Sequence, residues 1–280
     1  MTFKELSSIY IKSVQDGMRE SSYMNMTYNL QRYIVPAFGD LDLSMLTKEE
    51  IIKRIDTMTG VTGKISESTL KKNFILIKNI VRFGMMQNLV KEFLLDFQID
   101  FSKETEKSDK STNRLTDSEI NQIIEYIKIN PNSTNLGFLL SLCLGLKIGE
   151  ICALRWSDFS LEERKINIRR TLQRVDDGKG HSYIIEQPVS SEKSRRSLPL
   201  SRQLLEYITE NFSLPEKVNY FVTTASDSPC EPRVYRKKFS KLLKELGLEQ
   251  VKFSVLQNFY ATCASKNMDK AERMTSLEIF

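Results

Sequence analysis

Histidine is almost missing from this sequence, with His181 as the one example in 280 residues. The four cysteines are scattered, and no two of them are separated by just two residues. Zinc sites built from cysteine and histidine need such close spacing. We therefore expect no metal site and no cofactor, and we expect the thiols to be free. The four cysteines are Cys143, Cys152, Cys230 and Cys263.

Long apolar runs are also missing. No stretch approaches the ~18 consecutive apolar residues that a membrane span needs. The N-terminal sequence lacks the basic segment followed by an apolar run that marks a secretory signal. With 40% hydrophobic and 28% charged residues, the composition is typical of a globular protein. We expect a cytoplasmic protein with no membrane partner.

Apolar side chains are completely absent from residues 102–113, SKETEKSDKSTN. A segment that can bury nothing is typical of an exposed linker. The sequence therefore predicts two domains, residues 1–101 and 114–280, joined by this linker.

The first domain has the apolar spacing of helices. We expect a second helix over residues 21–34, stopped by 36–40, and a third helix capped by Thr47. A loop over 59–63 should separate it from a long fourth helix that opens at Ser66.

The second domain begins with a helix capped by Thr116 and later changes period. Residues 165–172 and 182–187 alternate as strands do, and a third strand ends at Leu200. Further helices are expected over 202–211, 234–246 and 256–266. The fold class predicted is mainly α with a small antiparallel β-sheet, a helical domain followed by an α+β domain.

Positive charge is concentrated rather than spread. Residues 233–252 contain seven Lys or Arg and two Glu, so this segment alone carries +5, equal to the formal net charge of the whole chain. Such a local basic stripe is typical of a surface that contacts phosphates. The alternative is an ordinary solvated helix face.

Several segments, taken in order, resemble the tyrosine recombinases, the phage integrase family. In the second domain they are LGLKIGE (144–150) with LRWSD (154–158), PVSSEKSRRSLPL (188–200) and FSVLQNFYAT (253–262). In the first domain, YIVPAFGDLDLSMLTKEEI and FGMMQNLV resemble the core-binding domain of the family. The closest resemblance is to integrases of conjugative transposons and phages of Gram-positive bacteria.

The resemblance implies two domains that clamp duplex DNA and a tyrosine that attacks a backbone phosphate, leaving a 3′-phosphotyrosine. Two arginines hold the phosphate oxygens because a guanidinium donates two parallel hydrogen bonds. A lysine on the hairpin protonates the leaving oxygen, and a histidine or lysine handles the proton of the nucleophile.

At the positions of these groups the sequence departs from the family. Lys147 stands where the first arginine is expected, with the usual acid, Glu150, three residues on. The hairpin lysine, expected just after Pro188, falls on Val189 or Ser190, unless Lys193 substitutes for it. The His-x-x-Arg pair falls on Ser254 and Gln257, which supply neither a base near neutral pH nor a charge.

The nucleophile is expected beyond the last tyrosine, Tyr260, which aligns with a core phenylalanine of the family. The chain ends at Phe280, so we expect the second domain to be truncated before the helix that bears the nucleophile.

The leading hypothesis is a catalytically inactive DNA-binding homologue that modulates recombination or transcription, or is the remnant of a mobile element. One alternative is an active integrase with substituted catalytic residues or a tyrosine from another chain; a second is a protein-interaction module. The expected partners are double-stranded DNA and a related recombinase or a second copy, near the bacterial nucleoid. The expected DNA-contacting residues are Lys71, Lys72, Lys78, Arg195, Arg196, Arg236, Lys237 and Lys238.

Overall fold

The computed structural model describes residues 1–62, 65–93, 95–99, 101, 114–176, 181–189, 194–213 and 219–265, without the side chains of 57, 59–62 and 262–265. The chain forms two compact units. The N-terminal unit comprises residues 1–109 with 175–183, and the C-terminal unit comprises 110–174 with 184–280.

Residues 1–101 of the N-terminal unit are mainly helical where the structure describes them, as the apolar spacing predicted, while residues 175, 176, 182 and 183 of the same unit lie in strands. Its core is built from the inward faces of these helices, with Phe3 and Phe38 in ring contact at a centroid distance of 5.5 Å. The elements are α1 (Phe3–Val14), α2 (Glu20–Asn29), a π-helical turn (Leu30–Ile34), α3 (Val35–Phe38), a 3₁₀ turn (Leu43–Met45), α4 (Lys48–Thr62) and α5 (Glu67–Met86).

The second helix differs from its prediction at both ends. It begins at Glu20, so Ser21 lies buried inside the first turn. Pro36 itself does not stop the helical path, because the preceding turn is a π-helix and Pro36 falls in the first turn of α3; the path ends at Phe38, inside the predicted stop over 36–40. Proline is tolerated there, since the first N–H groups of a helix have no partner within it.

The predicted loop over residues 59–63 is also wrong, because α4 continues to Thr62. The predicted starts of α4 and α5 are confirmed. The Thr47 hydroxyl accepts a hydrogen bond from the Glu50 N–H at 3.2 Å, and the Ser66 hydroxyl accepts one from the Thr69 N–H. These caps satisfy N–H groups that the helices leave open.

The C-terminal unit packs helices around a small amount of sheet. Thr116 and Glu119 form the predicted capping box at the start of α6. The helices are α6 (Asp117–Ile129), α7 (Ser133–Leu144), α8 (Ile148–Ala153), α9 (Arg202–Asn211), α10 (Pro232–Glu245) and α11 (Ser254–Ser265), with a 3₁₀ turn at Trp156–Asp158.

The strand predicted over residues 165–172 is two strands. The chain breaks pairing at Arg169, whose carbonyl accepts a hydrogen bond from the Val189 N–H at 3.1 Å. One half joins a three-stranded antiparallel sheet in the order β1-β2-β5, and the other pairs with β4 alone. The strands are β1 (Phe159–Ser160), β2 (Lys165–Ile168), β3 (Arg170–Asp176), β4 (Ser182–Pro188) and β5 (Arg196–Pro199).

Within the three-stranded sheet, Ile166 lies opposite Leu198 and Ile168 lies opposite Arg196. Both isoleucines are buried in the core that also contains the apolar helix α7. This register fixes where the Arg196 side chain leaves the sheet. Among the helices in the described residues, none is both long and apolar enough to cross a membrane.

Candidate nucleic-acid interface and catalytic-type site

The first signature box is positioned by the turn that ends α7. Gly145 there has φ of 65°, a left-handed conformation that favours glycine. The half-buried ring of Tyr260 lies against it, and a Cβ on Gly145 would fall 2.5 Å from Tyr260 Cδ1. Tyr260 therefore contributes to the packing of α11 against α7.

Lys147 follows this turn as the residue before α8. Its backbone N–H donates to the Glu150 carboxylate at 3.0 Å, while its side chain is exposed. The amino group keeps a positive charge at the position expected for the first arginine, without the two-pronged geometry of a guanidinium.

Glu150 is 3% exposed, so its charge requires a partner. Arg196 on β5 provides one, with its two terminal nitrogens each 2.9 Å from a carboxylate oxygen. The Arg196 guanidinium also donates to the Ser194 carbonyl. The planar guanidinium of Arg196 is thus engaged inside the protein, whereas the sequence predicted that Arg196 contacts DNA.

The other expected catalytic positions fall on different elements. Ser254 lies exposed at the start of α11, and Gln257 lies half-buried one turn later. Ser254 and Gln257 both lie on α11, the helix whose Tyr260 ring contacts the end of α7. Ser190 and Lys193 lie outside the described residues.

A second ionic cluster, which sequence reasoning missed, lies where the chain leaves α8. Arg155 donates to Glu186 on β4 at 2.9 Å, and its guanidinium lies 4.7 Å from the centre of the Phe221 ring. Arg170 on β3 donates at 2.6 Å to Asp158, which is 4% exposed. The cluster joins the β3–β4 ribbon to the turn after α8. No local sequence pattern predicts these pairs, because the partners lie 12 to 31 residues apart in the chain.

The predicted DNA-contacting residues divide into two groups. The first group has exposed side chains that face solvent, and of these Lys71 also forms an exposed ion pair with Glu67 in its own helix. This group is Lys71, Lys72, Arg195, Arg236 and Lys237.

The second group is engaged by the protein itself. Besides Arg196, it includes Lys78, which donates to the Phe97 carbonyl at 2.8 Å and lies 4.6 Å from the centre of the Phe74 ring. It also includes Lys238, which donates to the Thr134 hydroxyl at 3.2 Å.

Helix α10 carries the densest exposed charge, as the sequence predicted. Pro232 opens it, and Tyr235, Phe239, Leu242 and Leu243 face the core. The opposite face displays basic side chains at spacings of three and four residues, which places them in one stripe. These are Arg233, Arg236, Lys237, Lys241 and Lys244.

The comparisons with known proteins agree with this geometry. Residues 113–267 match the model of the phage integrase family, and residues 2–59 match the SAM-like domain found at the N-terminus of phage integrases. The first match covers more than half of the chain. The chain belongs to the phage integrase family, the tyrosine recombinases, and it has their DNA-binding fold.

Two curated relatives are similar over part of their length. A XerC-like tyrosine recombinase of Caldanaerobacter subterraneus is 27% identical over 175 residues, covering 56% of this chain and 44% of the relative. A probable integrase of prophage ps2 of Lactococcus lactis is 24% identical, covering 74% of this chain and 52% of the relative. The chain thus spans about half the length of these relatives.

Solved structures share the fold at low identity. The Tn1549 transposon integrase in complex with transposon right-end DNA has a TM-score of 0.75 and 16% identity, covering 100% of this chain and 90% of that one. A lambda integrase dimer bound to a COC′ core site has a TM-score of 0.61 and 15% identity, covering 98% and 94%.

Proposed function

We propose that this protein binds duplex DNA in the bacterial cytoplasm and does not complete strand cleavage by the chemistry usual in its family. The observation that carries the proposal is the identity of the side chains at the family's positions: Lys147, Ser254 and Gln257 occupy an otherwise well-formed frame. In this reading the protein modulates recombination or transcription, alone, as an oligomer or with a related recombinase, or is the remnant of a mobile element.

The missing groups would cost the reaction heavily. Losing one fixed donor to a developing oxyanion lowers a rate by roughly 10²–10³. Ser254 cannot act as a base near neutral pH, and Gln257 brings no charge to a phosphate. Such losses are not additive, so the total loss in rate is not their product. The proposal nevertheless requires that strand cleavage by this protein be undetectable.

DNA affinity rests on different residues, because it depends on many phosphate contacts. We propose that the exposed cations Lys71, Lys72, Arg195, Arg236 and Lys237 make them, with Lys71 exchanging its exposed ion pair with Glu67 for a phosphate. Lys78, Arg196 and Lys238 serve the fold, since each is held by a partner within its own unit.

We further propose that residues 1–101 and 114–280 act as separate core-binding and catalytic-type domains joined by 102–113. Two domains joined by one connecting segment could then each contact a duplex; the structural neighbours reported among the comparisons are themselves integrases bound to DNA.

The test has two readings from the same samples. The full chain is mixed with labelled duplexes selected from a random pool, in a mobility-shift salt series, and the complexes are then run on a denaturing gel. We expect a shift that weakens steeply with salt and disappears on denaturation. No shift at low salt would rule out DNA binding.

A second candidate, an active integrase with substituted residues, is favoured by the exposed charge of Lys147 beside the Glu150–Arg196 pair. It requires a band that survives denaturation when the selected duplex carries a nick that traps the covalent intermediate. The variant Lys147→Arg/Ser254→His/Gln257→Arg is the matched comparison, since it returns the family's side chains to their positions.

A further inference from the structure

A cavity of about 250 Å³ lies in the C-terminal unit, between α6, the first turn of α7 and α10. Pockets for drug-sized ligands usually enclose about 300–1,000 Å³ and are lined mainly by apolar side chains. This cavity is smaller, and most of the residues that line it are polar. Its size and lining therefore suit a small polar molecule. Among the lining residues are Tyr126, Thr134, Lys238, Lys241 and Glu245.

Positive charge enters this cavity from α10. Lys238 and Lys241 lie one turn apart on the helix, and both line the cavity. Lys238 is half-buried, and its ammonium group donates to the Thr134 hydroxyl at 3.2 Å. A hydroxyl brings no charge, and no carboxylate in the described part of the chain forms an ion pair with Lys238. An ammonium group in this position favours an anionic ligand.

One carboxylate, that of Glu245, also lines the cavity. One of its oxygens accepts a hydrogen bond from the Tyr126 hydroxyl at 2.8 Å, and the other pairs with Lys241 at 3.5 Å. A long pair between exposed side chains contributes little to stability, so Lys241 can turn to a bound anion at a small cost. The hydrogen bond to Glu245 raises the pKa of Tyr126, so the phenol stays protonated near neutral pH.

The cavity offers little surface to an aromatic ring. Its apolar lining residues are Phe138 and Leu242, and both are almost fully buried in the core. What remains for a ligand is two ammonium groups, a carboxylate and two hydroxyls. Hydroxyl groups of a ligand can donate to the carboxylate and accept from the ammonium groups.

We propose that this cavity binds a small sugar phosphate, with its phosphate on Lys238 and Lys241 and a sugar hydroxyl donating to Glu245. A phosphate monoester carries close to two negative charges near neutral pH, so it engages two ammonium groups better than a single carboxylate does. The inference does not rest on the proposed function, because none of these contacts involves DNA.

The experiment uses ribose 5-phosphate as the probe and follows thermal melting of the full chain at constant ionic strength. A ligand with a Kd of about 1 mM, added at about 10 mM, should raise the melting temperature by about 3–6 °C. We expect this rise with ribose 5-phosphate, a smaller rise with inorganic phosphate and none with ribose. Adenosine monophosphate should give a smaller rise than ribose 5-phosphate, because the cavity has no surface for its base.

The double variant Lys238→Gln/Lys241→Gln should lose the response to both phosphates. Lys237→Gln is the matched control, since it removes the same charge from a neighbouring position of α10 that does not line the cavity, and it should respond as the original chain does.

Glu245→Gln tests the sugar contact apart from the phosphate contact. It should weaken binding of ribose 5-phosphate about 10-fold, the usual value of a hydrogen bond to a charged group. Binding of inorganic phosphate should not weaken, because the variant removes a negative charge from the site. Titration calorimetry would measure both affinities.

Three results would overturn the proposal. Equal responses to sulfate, inorganic phosphate and ribose 5-phosphate would mean that surface charge alone attracts the anions. A loss of response in Lys237→Gln as large as in the double variant would mean the same. A response to adenosine monophosphate larger than that to ribose 5-phosphate would assign the cavity to nucleotides. Because no duplex is present in these assays, each result leaves the proposed DNA binding to its own test.

Discussion

The catalytic-type site and the basic surfaces use positive charge in opposite ways. At the site, the fork of Arg196 is closed on the buried Glu150 carboxylate. On α10, Arg236 and Lys237 extend from a helix whose other face is core. The same residue type therefore holds the fold together in one place and faces solvent in the other.

The difference teaches that the frame of the site and the exposed cations depend on different contacts. Glu150 and Arg196 stabilise the frame by their mutual ion pair, while Lys147, Ser254 and Gln257 differ from the side chains expected at the family's positions. Loss of the Glu150–Arg196 pair should therefore cost stability, and loss of the exposed cations should not. Variants of the two kinds of charged residue should therefore change stability and DNA affinity separately.

The largest effect is expected from Arg196→Ala. It would leave the Glu150 carboxylate buried without its partner, which typically costs about 3–5 kcal/mol of unfolding free energy. Urea denaturation would measure the loss. Arg195→Ala, at the exposed neighbouring position, should change stability by less than about 0.5 kcal/mol. If Arg196→Ala keeps full stability and loses DNA affinity instead, Arg196 contacts DNA, and the assignment of Arg196 to the fold rather than to the interface is wrong.

The next largest effect should follow from Arg236→Ala/Lys237→Ala on α10. Each lost phosphate contact lowers the slope of log affinity against log salt by about 0.9. Two such losses correspond to roughly 30-fold weaker binding near 0.15 M salt, with an unchanged melting temperature. Lys238→Ala provides the control from the same helix, because its amino group contacts Thr134. An unaltered slope in the double variant would remove α10 from the interface.

A third prediction concerns a buried polar side chain that, unlike Glu150, has no partner among the described residues. Asn73 on α5 is 1% exposed, and neither polar atom of its side chain hydrogen-bonds to any part of the chain that the structure describes. Asn73→Leu should raise the unfolding free energy by about 1–2 kcal/mol, because an unsatisfied buried amide is costly and leucine has a similar branched shape.

Asn135→Leu is the matched opposite. Asn135 is 5% exposed, and its side chain donates to the Asn130 carbonyl at 2.8 Å. Asn135→Leu should therefore lower the melting temperature of the protein, whereas Asn73→Leu should raise it. Destabilisation by both would mean that the Asn73 amide is satisfied in solution, for instance by a bound water.

Much of this fold follows from local signals. The capping box at Thr116, the cap at Ser66 and the buried face of α5 depend on residues within a few positions of each other, which is what a sequence displays directly. The basic face of α10 could be predicted for the same reason. The course of residues 30–38 could not, since a π-helical turn has no strong sequence signal and admits Pro36 where a stop was expected.

The site was predictable as a set of positions and not as a set of contacts. The resemblance located Lys147, Glu150, Ser254 and Gln257, but the Arg196–Glu150 pair joins residues 46 apart. Spacing cannot show which of two adjacent arginines turns inward. That choice is set by the register of β5 on β2, where Arg196 lies opposite Ile168. The position of a cation near the expected interface is therefore weaker evidence for DNA contact than the hydrogen-bond and ion-pair partners that the cation has in the structure.

The smallest effects should come from the two lysines of α5 that sequence reasoning treated alike. Lys78→Met removes a hydrogen bond to the Phe97 carbonyl and contacts with two aromatic rings, which should lower stability by about 1 kcal/mol. The salt dependence of DNA binding should not change. Lys72→Met should do the reverse, leaving stability as it was and weakening binding about 5-fold near 0.15 M salt. Thermal melts and salt titrations of the two variants, measured side by side, would show whether neighbouring cations on one helix divide between fold and ligand. Equal behaviour in both assays would mean that exposure does not decide which lysines bind.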